Sequence, residues 1–116
     1  MNHSEPISYE TFAAVEMRIG RIVAIEDFPE ARKPAYKLTI DFGEEIGHKK
    51  SSAQIIGLYT KEELKDRLVI CVTNFPPKQI GPFISEVLTL GAPDSVGRVA
   101  LLGLDREDMP LGARIF

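Results

Sequence analysis

The side chains able to do chemistry in this chain are few, and their spacing keeps them apart. One cysteine, Cys71, and two histidines, His3 and His48, are scattered over 116 residues. That leaves no zinc-ligand spacing and no Cys–His nucleophile pair. The serines and threonines have no base to serve them, because His3 stands near the N-terminus and His48 beside a turn. Gly91 and Gly97 lack the spacing of a phosphate loop, and the acids are spread over loops without a metal-ligand pattern. No catalytic residue, metal or cofactor is assigned, and the chain reads as a binding protein, not an enzyme.

Recognition chemistry is better represented. Arg32, Lys33 and Lys37 flank one loop, Lys49 and Lys50 follow on the next strand, and Lys78 succeeds a proline pair. If these regions converge, they make a local positive field in a chain whose net charge is −3, from 14 basic and 17 acidic residues. A dedicated nucleic-acid binder is basic overall, so any such role rests on this patch. Taken singly, each lysine is also an ordinary solvated charge, with Glu26, Asp27, Glu30, Glu44 and Glu45 available to balance it. The second feature is apolar. The stretch Cys71–Leu90, CVTNFPPKQIGPFISEVLTL, carries Phe75, Ile80, Phe83 and Ile84 between two strand-like runs. Leaving phenylalanines in water costs roughly 25 cal/mol per Å², so they either fill the mouth of a barrel or face a ligand. Pro76, Pro77 and Pro82 have no N–H to donate and are expected to keep this loop out of regular pairing.

The elements that must position these residues follow from periodicity. Residues 7–16 place Tyr9, Phe12 and Ala13 at i, i+3 and i+4 after a possible Ser8 cap, which predicts one short helix. Residues 17–28 are rich in β-branched side chains and slip in alternation around Gly20 to Ile22, which predicts a long strand bent at a glycine bulge. PEARKP, residues 29–34, is a loop. Tyr36, Leu38, Ile40 and Phe42 alternate with Lys37, Thr39 and Asp41 as in a half-buried strand. A third strand over 46–56 is small and polar at its centre, leaving a face open to a ligand. Thr60 and Glu63 form a capping-box pattern for a short helix over 61–65. Strands over 67–73 and 85–90 come next.

Five strands with a helix between the third and fourth is the layout of an oligonucleotide/oligosaccharide-binding (OB) barrel. The chain is therefore expected to be mainly β, one domain over residues 1–116, with a short N-terminal helix. In the tail, Val99 to Leu102 is apolar at both parities, more than a small barrel buries. A C-terminal strand used in dimerisation accounts for the excess, with Phe12, Val99, Leu101, Leu102 and Leu104 as the interface of a homodimer. No run reaches the ~18 apolar residues of a membrane span, and MNHSEPISYE is not a secretory signal. With one cysteine inside an apolar run, a cytoplasmic protein is expected, without membrane insertion.

Four segments in order, MRIGRIV, FPEARKPAYKLTIDFGEEIG, KKSSAQI and NFPPKQIGPFISEVLTLG, resemble the CsaA-type export-related chaperones of the tRNA-binding OB-domain family. That family also contains appended domains of some methionyl- and phenylalanyl-tRNA synthetases. The resemblance covers roughly residues 9–116. It implies an OB-fold homodimer that binds unfolded or precursor polypeptides, contacts with the secretion machinery, and an affinity for tRNA. Asn74, Pro77, Lys78, Ser85 and Glu86 match the family's loop signature, and Lys37 matches the lysine that opens the second strand. Asn74, Ser85 and Glu86 are equally suited to bracing the backbone. The chain departs from the tRNA-binding members at Gln79, Gly81, Pro82 and Ile84, where basic or polar residues or a glycine are expected. Fewer phosphate partners and more apolar surface favour a peptide ligand, with Phe75, Ile80, Phe83 and Ile84 as its trough. Arg32, Lys33, Lys37, Lys49, Lys50, Asn74, Lys78 and Ser85 are then the charged rim or RNA-binding set.

Overall fold

The computed structural model describes residues 4–116, so His3 lies outside the described residues. Its frame is a five-stranded antiparallel sheet in the order β3-β2-β1-β4-β7, curled into a nearly closed barrel. The strands are β1 (Met17–Asp27), β2 (Tyr36–Asp41), β3 (His48–Ala53), β4 (Leu68–Val72) and β7 (Leu88–Thr89). Two small hairpins lie outside it: β5 (Lys78–Ile80) with β6 (Phe83–Ser85), and β8 (Gly91–Pro93) with β9 (Val99–Leu101). The helices are α1 (Tyr9–Ala13) and α2 (Lys61–Leu64). Among the described residues no helix is long and apolar enough to cross a membrane.

Alternation explains most of this. In β2 the odd-parity side chains of Lys37, Thr39 and Asp41 stay partly exposed while Tyr36, Leu38 and Ile40 enter the core. β4, LVICV, is the strand between β1 and β7 and is buried at every position, so both of its faces are covered. Inside, Ile22, Leu38, Ile40, Phe42, Leu64 and Val69 form the centre of the core. Both caps are present. Ser8 accepts a bond from Thr11 N at 3.1 Å. Thr60 and Glu63 bond reciprocally, at 3.3 Å to Thr60 Oγ1 and 2.9 Å to Glu63 Oε1.

β1 serves two neighbours. Its first half, Met17 to Arg21, pairs with β4, and its second half with β2. The bulge falls between Ile22 and Ala24, beyond Gly20. Gly20 has another reason to be glycine, since a methyl there would collide with Ile40 Cγ2 and stand 2.7 Å from Phe42 Cε1. The tail completes the wall: Ile19 N donates to Ala113 O at 3.0 Å, Gly112 N to Ile19 O and Ile115 N to Met17 O, each at 2.8 Å.

Two expectations are corrected. The strand over 85–90 is broken, because Glu86 and Val87 turn their N–H groups onto Lys50 O at 2.7 and 3.3 Å. The proline-containing loop does pair: Lys78, Gln79 and Ile80 face Ser85, Ile84 and Phe83. Pro76 and Pro77 precede the ladder, and Pro82 sits in the two-residue turn beside Gly81, whose φ is 55°. No N–H is needed at any of the three.

Candidate binding groove

The hairpin β5–β6 is fastened to the barrel by side chains. Asn74 Oδ1 accepts from Glu16 N at 2.9 Å while its Nδ2 donates to Ala14 O at 2.8 Å. Ser85 Oγ accepts from Ser52 N at 3.1 Å and donates to Val87 O at 3.3 Å. Glu86 Oε1 accepts from Lys50 N at 3.0 Å. These polar atoms stand in for a backbone ladder along the open edge of β3, and inside the barrel Ser51 Oγ and Thr89 Oγ1 meet at 2.8 Å. Asn74 and Ser85 therefore shape the site from within it. Phe83 is the hydrophobic foot of the hairpin, its ring 5.3 Å from that of Phe28 in an edge-on arrangement. Lys37 Nζ lies 5.4 Å from the Phe28 ring and 5.9 Å from the Phe83 ring, near enough for cation–π attraction.

Between hairpin, barrel and the 29–35 loop the surface is hollow. One hollow of about 540 Å³ is lined by Arg32, Lys33, Lys78, Ile80, Ser52 and Gln54, with Glu30 at its rim. The next, of about 300 Å³, shares Ser52, Gln54, Lys78 and Ile80 and adds Phe75, Pro76, Ser85, Glu86 and Leu88. Phe75 is 48% exposed beside it. The structure thus brings together Arg32, Lys33, Asn74-tethered Phe75, Lys78, Ile80 and Ser85. Lys50 lies with Lys37 on the outer face of β2–β3, whereas alternation sends Lys49 to the opposite face. Ile84 is 50% exposed on the side of the hairpin away from Phe83 and Ser85. Sequence reasoning missed Ser52, Gln54 and Leu88. The period-2 continuation of Lys50 through Ser52 to Gln54 was the signal for the first two.

Arg32, Lys33, Lys37, Lys49, Lys50 and Lys78 form no ion pair among the described residues. Of the acids able to balance them, Asp27 is taken by Lys61 at 2.8 Å. Lys49 apart, which faces the other way, these cations are without an ion-pair partner for a ligand's charge to displace. Among the described residues no group of three or more His, Cys, Asp or Glu is placed to hold a metal ion. Cys71 is buried in β4, and that burial pushes its thiol up to about 12. Of the proposed interface residues, Val99 and Leu101 pack partly against the protein's own core, Phe12 stacks near Tyr9, Leu104 is half-buried and Leu102 is 43% exposed.

A nearly closed five-stranded barrel carrying a cationic, partly apolar groove defines a class of binding domain, and residues 17–114 match the family model described as "Putative tRNA binding domain". The chain belongs to that family. It is 50% identical to the CsaA chaperone protein from Picrophilus torridus, whose crystal structure superposes with a TM-score of 0.89 over 96% of this chain and 100% of that one. The chaperone CsaA of Bacillus anthracis str. Ames is 43% identical, with a TM-score of 0.89 over 97% and 100%. The methionine–tRNA ligase of Pyrococcus furiosus is 38% identical over 109 residues, which is 94% of this chain and 14% of that enzyme's length.

Proposed function

We propose that this chain is a CsaA-like chaperone, a cytoplasmic homodimer that holds unfolded or precursor polypeptides in protein export, alongside the secretion machinery, by binding without catalysis. The observation that carries this is the groove beneath the β5–β6 hairpin. Its exposed Phe75 and Leu88, with Ile80, supply apolar area, and Arg32, Lys33 and Lys78 supply a charged rim. Apolar surface within a polar rim is the composition of a polypeptide-binding site. The 50% identity to a CsaA chaperone protein over the full length of that chain supports the same reading. Two copies joined through the segment after β9, where Leu102 stands out, would give one long client two grooves and raise avidity.

The test is light scattering from a chemically denatured client diluted into buffer with the protein. Aggregation should be suppressed near stoichiometric amounts, and Phe75→Ala with Leu88→Ala should weaken the effect with little change in unfolding midpoint. Unchanged client scattering with wild-type protein refutes the reading. Size-exclusion with light scattering should return twice the 12.9 kDa protomer mass.

A second reading, tRNA binding, is favoured by one observation: Arg32, Lys33, Lys37, Lys50 and Lys78 have no ion-pair partners among the described residues. It requires filter retention of tRNA that falls steeply with salt and drops on Lys33→Ala with Lys78→Ala. No retention at low salt removes it.

A further inference from the structure

The hollows around Gln54 adjoin one another through shared lining residues. Beyond the two already described, a third of about 430 Å³ opens under the β8–β9 hairpin, bordered by Ile56, Gly57, Arg98 and Val99. It joins the cationic hollow through Lys33 and Gln54, and Gln54 alone borders all three. The floor follows from chain geometry. Past the end of β3 the backbone keeps alternating, with Ala53 and Ile55 buried and Ser52, Gln54 and Ile56 turned outward. One line of outward side chains thus runs from the β5–β6 hairpin to the β8–β9 hairpin.

We propose that these adjoining hollows act as one groove that takes one extended polypeptide segment in which an acidic side chain stands between two apolar ones, with Gln54 at the midpoint. The proposal rests on the polypeptide reading above and names the kind of segment. Its ends are apolar: Phe75 and Leu88 at one, Ile56 and Val99 at the other. At one end Arg98 Nε is paired with Asp94 at 2.8 Å, and at the other Glu86 is engaged with the Lys50 amide at 3.0 Å. In the middle hollow Arg32, Lys33 and Lys78 share the lining with one acid, Glu30, and Lys78 also borders the next hollow with Glu86; the three cations outnumber the two acids and none is in an ion pair among the described residues. A carboxylate at that point gains charge-assisted bonds, whereas a lysine or arginine meets like charge. The Gln54 amide, which bonds to no other side chain or backbone group among the described residues, offers a donor and an acceptor to an extended backbone.

Two fluorescent nine-residue peptides test this by anisotropy with the full-length chain. They carry leucine and phenylalanine at both ends and differ only in a central Glu or Lys. The Glu-centred peptide should bind about tenfold tighter, the effect of one charge-assisted contact. Arg32→Glu with Lys33→Glu should reverse the preference. Ile56→Asp should weaken the nine-residue peptide several-fold and leave a peptide cut back to the Phe75 end unaffected. Equal binding of the Glu and Lys peptides overturns the proposed segment class, and no effect of Ile56→Asp overturns the continuity. If neither peptide binds while client aggregation is still suppressed, this groove is not the polypeptide site and the chaperone reading survives. If suppression is absent as well, both fall. Displacement of the peptides by an oligouridylate whose own binding follows the same variants assigns the groove to RNA and overturns the proposal.

Discussion

Removing the Glu86 carboxylate should loosen the seam that closes the barrel. Its Oε1 accepts the Lys50 amide at 3.0 Å while its own amide donates to Lys50 O at 2.7 Å, so one residue bonds β3 in both directions. Glu86→Ala removes the first bond and leaves the Lys50 N–H to water. A charged acceptor in a fully buried place would cost more, but this contact is partly solvated, which puts the loss at about 1 kcal/mol. For a chain of this size that is about 4 °C in Tm. Glu86→Gln keeps an oxygen acceptor and should lose less than half as much. Ser85→Ala, which frees the neighbouring Ser52 amide, should couple with Glu86→Ala and make the double variant's loss non-additive. Thermal unfolding followed by circular dichroism measures all four proteins, with peptide anisotropy as the second readout. A Glu86→Ala protein that melts with wild type yet no longer binds peptide would refute the bracing role and make Glu86 a ligand contact.

Gly20→Ala should be costly for packing reasons, since its methyl meets Ile40 and Phe42 in the core; about 2 kcal/mol or more is expected from the urea midpoint. Cys71 should stay unlabelled by a thiol reagent except at the rate of unfolding, because it is buried and its thiol is held up to about 12. A folded-state value above the unfolded one gives stability that is complete below about pH 8.5 and is lost as pH rises towards 12. Wild type should therefore lose up to about 1.4 kcal/mol per pH unit more than Cys71→Ala across that window. Equal alkaline slopes in urea titrations would contradict it. Asp66 holds a φ of 66° in the turn before β4, so Asp66→Gly should be neutral or slightly stabilising and Asp66→Val should cost about 1–2 kcal/mol by thermal melting.

What was legible in the residues was whatever depends on neighbours along the chain. β2 shows its buried face in the alternation of Tyr36, Leu38 and Ile40, and the Thr60–Glu63 pair announces α2 because a capping box needs only local contacts. The resemblance to the CsaA-type members was carried by such local segments, and the structural match bears it out. Long-range pairing was not legible. The strand expected over 85–90 breaks because Glu86 finds Lys50, 36 residues away, and nothing near either residue announces it. Residues 112–115 pair with β1 mainly through backbone groups, joined by Arg18 Nη1 donating to Gly112 O at 2.8 Å, and backbone pairing leaves no mark on side-chain periodicity. At the site, Lys49 and Lys50 look like one cluster in the chain, but a period of 2 separates them onto two faces. Phe75 and Phe83 look alike until the fold places Phe83 on Phe28 and leaves Phe75 beside the groove.

The prolines that first looked like a bar to structure have a narrower consequence. β5 pairs with β6 alone, so its other edge is the kind of exposed strand on which chains add and aggregate. Yet β5 is three residues long and follows Pro76 and Pro77, neither of which has an N–H to offer an incoming strand. Backbone addition there is short of donors, and a ligand of this face must be held by side chains. Under the proposed polypeptide-holding role, side-chain contacts from Phe75, Ile80, Lys78 and Gln54 would tolerate many sequences and release them, whereas a continuous ladder would commit a client to β structure. On that proposal the two-proline approach to β5 is what separates holding from aggregation. If the proposed role holds, replacing Pro76 and Pro77 by valine should convert reversible client binding into co-aggregation, seen as light scattering that rises with the concentration of this protein instead of falling.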